Sequence, residues 1–260
     1  MNVKTQNWKN FTDQHLHDWH GIWTRYTPTG DVKESFRSLR HFESNSDKTE
    51  IYQLNKYIYA EDNVKEESWH YNEAKNSLSN GMFHPQAESM RGYFFEPGHS
   101  AWLIIQLQSG SFFGMELFFR YQHLRHSVSM VYDEAGNLFR TANIREDSTG
   151  YPSSYWSIEL NQLSQQNLSK NWQGTSITIT PDLHISEPVP TQLSWGWQGH
   201  KTFFLPDGVS ISCPEKVAVG TSFTCVANWL INSSAIHQLI ANYDDSGAFN
   251  CLTLERCELK

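Results

Sequence analysis

Histidine is the residue type in this chain best able to bind a metal or to move a proton near neutral pH. Three histidines, His15, His17 and His20, lie close together near the start of the sequence. On a helix, however, His15 and His17 would point about 200° apart, and no Cys, Asp or Glu stands beside them at a fixed ligand spacing. We therefore expect solvated histidines at a helix end and no metal site. His123 and His126, in the HLRH turn, give the same expectation.

Arginine offers a second kind of chemistry, the bidentate binding of a carboxylate or phosphate. Eight of the nine Arg and nine of the twelve His lie before residue 150, although each half of the chain has a net charge of −4. An Arg on a strand beside Trp or Tyr could hold the head of an anionic amphiphile in a barrel mouth. The alternative is surface pairing with nearby Asp and Glu, which would contribute little to stability. The residues predicted to bind such a ligand are Trp23, Arg25, Arg37, Arg91 and Arg125.

Aromatic side chains make up 14% of the chain and supply apolar surface for a core or for a ligand cavity. Core packing is the prediction we favour, and a ligand-lined cavity stays open as the alternative. The residues concerned are Trp102, Phe112, Phe113, Phe118 and Phe119.

Motifs of known enzymes are missing from the sequence. It contains no Gly-x-Ser-x-Gly turn, no Gly-x-Gly-x-x-Gly turn, no Walker loop and no His-Glu-x-x-His pair. We therefore predict a non-enzymatic protein without a cofactor. The formal charge of −8 also argues against nucleic acid, because affinity for phosphate backbones rests on Lys and Arg.

Cysteine usage and hydropathy indicate the compartment. Cys213, Cys225, Cys251 and Cys257 match no zinc-site spacing, so we expect free thiols. No apolar run reaches the roughly 18 to 20 residues that span a bilayer, and the start of the chain, MNVKTQNWKNF, lacks the apolar centre of a signal peptide. These features predict a soluble cytoplasmic protein.

Short strands dominate the pattern that must position these residues. Nine segments rich in aromatic and β-branched residues are separated by turn formers such as Glu-Pro-Gly and Pro-Asp-Gly. In one of them, TSFTCVANWL, Phe223, Cys225, Ala227 and Trp229 alternate with more polar residues, as in a strand with one face on a core. Helical spacing is confined to residues 5–18, with Trp8, Phe11 and Leu16, and to residues 158–170, with Ile158, Leu160, Leu163 and Leu168.

An internal repeat organises these strands into two copies. VYDEAGNLFRTANIRE, residues 131–146, aligns with NYDDSGAFNCLTLERC, residues 242–257, at an offset of 111 residues. The opening Trp-x-Gly motifs at Trp19 and Trp172 lie 153 residues apart, so the first copy is about 43 residues longer. Each copy must hide its sheet edges, and closure into a barrel does so. We predict an all-β protein of two tandem antiparallel barrels with short N-terminal helices, residues 1–150 and 151–260, joined near 150–157.

The Gly21-Ile22-Trp23 sequence after a helix resembles the lipocalin and calycin signature. The resemblance implies that Trp23 closes one barrel end and that an Arg from a late strand packs over it, for which Arg145 is the candidate. In the second copy Ser176 replaces this Trp while Arg256 is kept, so the closing contact must differ there.

Longer stretches, including GIWTRYTPTGDVKESFRSLRHF, SVSMVYDEAGNLFRTANIRED and GYPSSYW, resemble a cyanobacterial and plastid family of tandem calycin-like barrel proteins. This family is related to a biogenesis factor of the chloroplast ATP synthase. The resemblance implies a non-enzymatic assembly factor that binds subunits of the ATP synthase head. The alternative is a lipocalin-like carrier or sensor of a fatty acid, carotenoid or tetrapyrrole, and the interior volume of the barrels distinguishes the two.

Overall fold

The computed structural model describes residues 2–260 of the chain. Its first element is helix α1, Val3–His15, which begins where the Asn2 side chain accepts a hydrogen bond from the Thr5 N–H at 2.8 Å. Trp8 and Phe11 lie on its buried side, as the helical spacing predicted, whereas Leu16 falls just after the helix. The predicted N-terminal helix is therefore confirmed, although it ends three residues earlier than expected.

The first sheet contains eleven antiparallel strands and curves into a nearly closed barrel. Along the sheet the order is β4-β3-β2-β1-β11-β10-β9-β8-β7-β6-β5, and the short helix α2, Glu73–Asn76, joins the two edge strands β4 and β5. The strands are β1 Trp19–Tyr26, β2 Val32–Ser44, β3 Glu50–Ala60, β4 Asn63–Asn72, β5 Ser77–Leu78, β6 Gly81–His84, β7 Ala87–Phe94, β8 Ser100–Ile104, β9 Phe113–Tyr121, β10 Leu124–Tyr132 and β11 Leu138–Asp147.

The second sheet contains seven antiparallel strands in the order β13-β12-β18-β17-β16-β15-β14. It lacks counterparts for the additional strands of the first copy. Its strands are β12 Trp172–Ile179, β13 Val189–Gln192, β14 His200–Leu205, β15 Val209–Pro214, β16 Phe223–Asn232, β17 Ala235–Tyr243 and β18 Phe249–Leu259. The prediction of an all-β, barrel-like architecture is confirmed.

Strand registers place the repeated residues at equivalent points of the two sheets. His126 lies opposite Arg145 in the first sheet, and His237 lies opposite Arg256 in the second. In the same way Gly21 pairs with Glu146 and Gly174 with Cys257. Each residue of one sheet can therefore be compared with its counterpart in the other. The division of the chain into 1–150 and 151–260 stays a prediction.

The largest apolar core lies between the two sheets and is built from both halves. The Phe113 ring packs on the rings of Phe223, at 5.6 Å, and Tyr243, at 5.1 Å between centroids. The Tyr132 hydroxyl donates to the Pro214 carbonyl at 3.0 Å, and its counterpart Tyr243 donates to the Ile104 carbonyl at 2.9 Å. These contacts are reciprocal, so the two sheets are related by an approximate two-fold axis.

Two glycines show how closely the halves approach. The Val217 N–H donates to the Gly136 carbonyl, and the Leu107 N–H donates to the Gly247 carbonyl, both at 2.8 Å. Both glycines have φ of 78°, and a β-carbon on Gly136 would lie 2.1 Å from the Val217 carbonyl oxygen. Only glycine fits at that point of contact.

The predicted helix at 158–170 is wrong. These residues run in an irregular, extended course, and Ile158 is fully exposed. The Glu159 carboxylate instead accepts hydrogen bonds from the N–H groups of Leu160, at 2.8 Å, and Asn161, at 2.7 Å. Such local side-chain to backbone bonds compete with helix formation, and the apolar residues here are not spaced along one helical face.

Two further sequence features, the cysteines and the lack of a long apolar run, have direct counterparts in the structure. All four cysteines are free thiols, and Cys251 alone among them is partly exposed. Among residues 2–260, no helix has the length and apolar character needed to cross a membrane.

Candidate functional site

Helix α1 closes one end of the first barrel. The Asn7 amide donates to the Gly92 carbonyl at 3.1 Å and accepts from the Phe94 N–H at 2.9 Å, which fixes the helix to strand β7. Phe11 projects from the helix onto Phe94, with 4.9 Å between ring centroids. Its ring also lies 5.7 Å from that of Tyr71 on β4. The helix therefore forms a floor of aromatic contacts.

Above this floor lies a cavity of about 280 Å³ inside the barrel. Its volume is close to the lower end of the about 300–1,000 Å³ typical of small-molecule sites. Its aromatic lining is Phe11, Trp23, Phe42, Tyr57, Trp69, Tyr71, Phe94, Trp102 and Phe118. Its polar lining includes His15, Arg40, Gln53, Asn55, Glu67, His84, Gln86, Ser100, Glu116 and Arg125.

One wall of the cavity is an ion network of two arginines and two glutamates, Arg40, Glu116, Arg125 and Glu146. Arg40 Nη2 donates to Glu116 Oε1 at 2.9 Å, and Arg40 Nε lies 3.1 Å from Glu146 Oε1. Arg125 Nε donates to Glu146 Oε2 at 2.6 Å. The formal charges balance, which is what burial of charged groups requires.

Burial and neighbouring charges act in opposite directions on these arginines. Burial works against the charged form of Arg40, but Glu116 and Glu146 outweigh it and raise its pKa above the ordinary value. For Arg125 burial dominates, and its pKa lies below the ordinary value although Glu146 opposes the shift. Burial also lowers the pKa of His15 far below its ordinary value, so the ring is neutral and its Nδ1 can accept from Arg125 Nη1 at 3.3 Å.

Four buried nitrogens of cavity-lining residues have no hydrogen-bond partner among residues 2–260. They are Arg40 Nε, Arg125 Nη2, Trp23 Nε1 and Trp69 Nε1, of which Arg40 Nε lies close to Glu146 without hydrogen-bond geometry. All four are donors, and an unsatisfied buried donor is costly. The arrangement therefore favours a guest that brings acceptor oxygens, above all a carboxylate that can pair with the guanidinium.

Trp19, at the first Trp-x-Gly motif, packs against the arginine that lines the cavity. Its buried indole N–H donates to the His15 carbonyl at 2.9 Å, and the Arg125 guanidinium lies 4.4 Å from its ring centroid. In the second copy the Trp172 indole donates to the Leu168 carbonyl, also at 2.9 Å. The tryptophan of the repeated Trp-x-Gly motif ties each first strand to the segment before it.

The structure does not form the expected contact between Trp23 and Arg145. Arg145 lies opposite Ile22 in the register of β1 and β11, and adjacent residues of a strand face opposite sides of the sheet. Trp23 therefore points into the barrel and stacks on Phe36 at 5.8 Å, while Arg145 points outward to Asp207 at 2.5 Å. Barrel closure by Trp23 and Arg145 is corrected on this geometry.

Of the five residues predicted to bind a ligand, the structure brings only Trp23 and Arg125 to the cavity. Arg25 pairs with Glu34 at 2.7 Å, and the Arg37 guanidinium lies 4.1 Å from the Tyr151 ring centroid. Arg91 donates to the Asn80 side chain and to nearby carbonyls. Arg37 and Arg91 therefore lie on the barrel exterior. Arg25 shares the inward face of Trp23, and its guanidinium lies 5.7 Å from the Trp23 ring centroid and 5.0 Å from that of Phe36, beyond the cavity lining. Of the three arginines, Arg25 alone pairs with a carboxylate as the surface alternative predicted.

Sequence reasoning missed Arg40, Glu116 and Glu146. A signal for Arg40 was present, because it alternates with Phe36 and Phe42 along β2 and so shares their inward face. Glu116 likewise alternates with Phe118 on β9. Glutamates and an arginine at inward positions of barrel strands indicate ion pairs inside the barrel.

The aromatic residues singled out from the sequence divide between the ligand cavity and the apolar core. Trp102 and Phe118 line the cavity, whereas Phe113 and Phe119 belong to the core between the sheets. Phe112 is 53% exposed and belongs to neither.

The histidines also depart from expectation. His15 and His126 are buried, not solvated, and His126 stacks on Trp229 at 4.5 Å. The His123 ring packs 4.5 Å from that of Tyr155, and His17 is exposed. Within residues 2–260, no three His, Cys, Asp or Glu residues come together as metal ligands.

Comparison with known proteins adds two family models and one fold match. Residues 194–258 match the model of the C-terminal domain of the biogenesis factor required for ATP synthase 1. A crystal structure of a DUF3598-family protein with unknown function from Nostoc punctiforme PCC 73102 shares the fold, with a TM-score of 0.74, 21% identity, and coverage of 98% of this chain and 99% of that one. The S-type phycobiliprotein lyase CpeS from Guillardia theta aligns with a TM-score of only 0.38 and 10% identity, over 56% of this chain and 94% of that one.

A comparison with curated proteins found no match. The second family model, the N-terminal domain of unknown function DUF3598, matches residues 4–151. That match covers more than half of the sequence, including α1 from its second residue and the whole first sheet. The chain therefore belongs to the DUF3598 family.

Proposed function

We propose that this chain is a non-enzymatic binding protein whose first barrel holds a small, largely apolar ligand with a carboxylate group. The observation that carries the proposal is the partly open cavity of about 280 Å³, which buried Arg125 lines with its Nη2 unpartnered. A ligand carboxylate would satisfy this donor and would be held by a charge-assisted hydrogen bond. The aromatic walls would hold the rest of the ligand.

The volume selects among ligand classes. Small-molecule sites typically occupy about 300–1,000 Å³, so this cavity suits a short fatty acid or a compact aromatic acid. A carotenoid or a complete tetrapyrrole would need the barrel to open. Gln86, in the turn between β6 and β7, and Glu67 on β4 line the cavity, and the Gln86 amide donates to the Ser68 carbonyl on β4 at 3.3 Å. We expect the ligand to enter beside this contact, where the two edges of the sheet approach each other.

The absence of catalysis is part of the proposal. The carboxylates of Glu116 and Glu146 are engaged by Arg40 and Arg125, so neither is free to act as a general base. The paired arginines and glutamates fix the shape and the charge distribution of the cavity wall, which suits ligand binding.

The test is quenching of tryptophan fluorescence, because Trp23, Trp69 and Trp102 line the cavity. Titration with decanoate and 2-naphthoate should give saturable quenching, and decanol should bind at least about tenfold more weakly because it lacks the charge. Arg125→Met should remove the preference for the acid but keep binding of decanol. Arg91→Met, on the barrel exterior, is the matched control and should behave as the unchanged protein. Equal binding of acid and alcohol, or no saturable quenching, would refute the proposal.

A second candidate function is assembly of the ATP synthase head. It is favoured by the match of residues 194–258 to the C-terminal domain of the biogenesis factor required for ATP synthase 1. In this role the chain would bind head subunits in the cytoplasm without chemical change. Purified chain should then co-elute with an isolated head subunit in gel filtration at micromolar concentrations, and separate elution of the two proteins would count against it.

A further inference from the structure

Part of the segment that connects the two sheets packs against the first sheet beside Arg145. Arg145 Nη1 donates to the Ser157 carbonyl at 3.1 Å, and Nη2 donates to the Glu159 carbonyl at 3.2 Å. The Tyr155 ring packs on His123 at 4.5 Å between centroids. A stretch of irregular polypeptide is thus held on the sheet by an arginine and an aromatic contact.

The equivalent surface of the second sheet is an open groove of about 1,170 Å³, called here the second-sheet groove. The strand registers make Arg256 the counterpart of Arg145, and Gly174 the counterpart of Gly21. Ser234 stands where the first sheet has His123, by the same offset that relates His126 to His237. Its lining includes Tyr121, Gln173, Gln192, Ser234, His237 and Arg256.

The charged groups around Arg145 in the first sheet differ from those around Arg256 in the second. Arg145 pairs with Asp207, which lies in the turn between β14 and β15. The matching turn of the first half, FFEPG, has no aspartate at that point, and the Arg256 side chain makes no ion pair or hydrogen bond with any of residues 2–260. Glu258 and Lys260 also line the groove and add one charge of each sign. His237 stays neutral, because burial lowers its pKa to about 4.

We propose that the second-sheet groove binds an extended segment of a partner protein that carries an acidic side chain, with Arg256 donating to that carboxylate and to a nearby backbone carbonyl. The first sheet shows the mode of binding on this same fold. There the carboxylate comes from Asp207, and in the second sheet the partner must supply it. The exposed amides of Gln173 and Gln192 and the ring of Tyr121 provide further contacts. This inference goes beyond ligand binding in the first barrel, and it would serve the assembly role without depending on it.

The experiment uses the full chain labelled with ¹⁵N and a synthetic peptide with the sequence of residues 150–161, in which Ser157→Asp adds the carboxylate. We expect millimolar or tighter binding, with amide shifts concentrated in β12 and in β18 near Arg256. The peptide without the added carboxylate should bind at least about tenfold more weakly, which is the effect of one charge-assisted hydrogen bond.

Arg256→Gln should weaken binding of the acidic peptide by a similar factor, so that the variant binds the acidic and the unmodified peptide equally. Lys216→Gln, which removes a cation from the loop between β15 and β16, outside the groove lining, should leave both affinities unchanged. Shifts confined to the first barrel, equal affinity of the two peptides, or no binding at millimolar concentration would overturn the inference. None of these outcomes bears on quenching by decanoate or on co-elution with ATP synthase subunits.

Discussion

Neutralising Glu146 should destabilise the protein severely. Its carboxylate is fully buried and accepts from Arg125 Nε at 2.6 Å, while Arg40 Nε lies 3.1 Å away. Glu146→Gln keeps the shape but leaves two buried guanidinium groups beside the single carboxylate of Glu116. Breaking one partner of a buried ion pair typically costs about 3–5 kcal/mol. At about 2–4 °C per kcal/mol for a chain of this size, Tm should fall by about 6–20 °C.

Equilibrium unfolding in urea, followed by tryptophan fluorescence at pH 7, measures this loss. Glu43→Gln is the matched control, because Glu43 is an exposed glutamate of the same barrel and should change stability by less than about 0.5 kcal/mol. The double variant Arg125→Met with Glu146→Gln restores the charge balance, with Arg40 and Glu116 left as a pair. It should therefore be more stable than Glu146→Gln alone. A loss below about 1 kcal/mol for the single variant would refute the reasoning about a buried network.

Three further predictions follow from burial and hydrogen bonding. Burial lowers the pKa of His84 and of His126 to about 4, so between pH 6.5 and 4 the unfolded chain binds protons that the folded chain does not. The free energy of unfolding should therefore fall as the pH falls through that window. A urea midpoint that stays constant from pH 7 to about 4.5 would contradict this. Only Cys251 should react rapidly with dithiobis-nitrobenzoate in the folded protein, with the three buried thiols reacting after unfolding in urea. Trp172→Phe removes the indole donor to the Leu168 carbonyl and should cost about 1–3 kcal/mol in urea unfolding.

Local patterns predicted most of the fold. The alternation in TSFTCVANWL placed Phe223, Cys225, Ala227 and Trp229 on one face, and all four lie in the core between the sheets. Turn residues located the strand ends, and the repeat identified which turns correspond. The failure at 158–170 arose because side-chain bonds from Glu159 to the backbone outweigh a weak apolar spacing.

The candidate site was harder to predict because its parts come together only through strand register. Arg40 and Glu116 are 76 residues apart in sequence, and their pairing depends on how far the first sheet curves. Arg125 was found by residue type alone, without its partner Glu146. The cavity volume is the small difference between the barrel interior and the side chains inside it, and no local pattern of sequence encodes that difference.

The reciprocal contacts between the two sheets have the geometry of a symmetric dimer interface contained within one polypeptide. Tyr132 reaches the Pro214 carbonyl as Tyr243 reaches that of Ile104, which is how identical subunits meet across a two-fold axis. Either half produced alone would leave this apolar face in water and would have to pair with another copy or aggregate. In a single chain the two copies need not keep the same sequence. The first copy can therefore form an eleven-stranded sheet around a cavity, while the second forms a seven-stranded sheet.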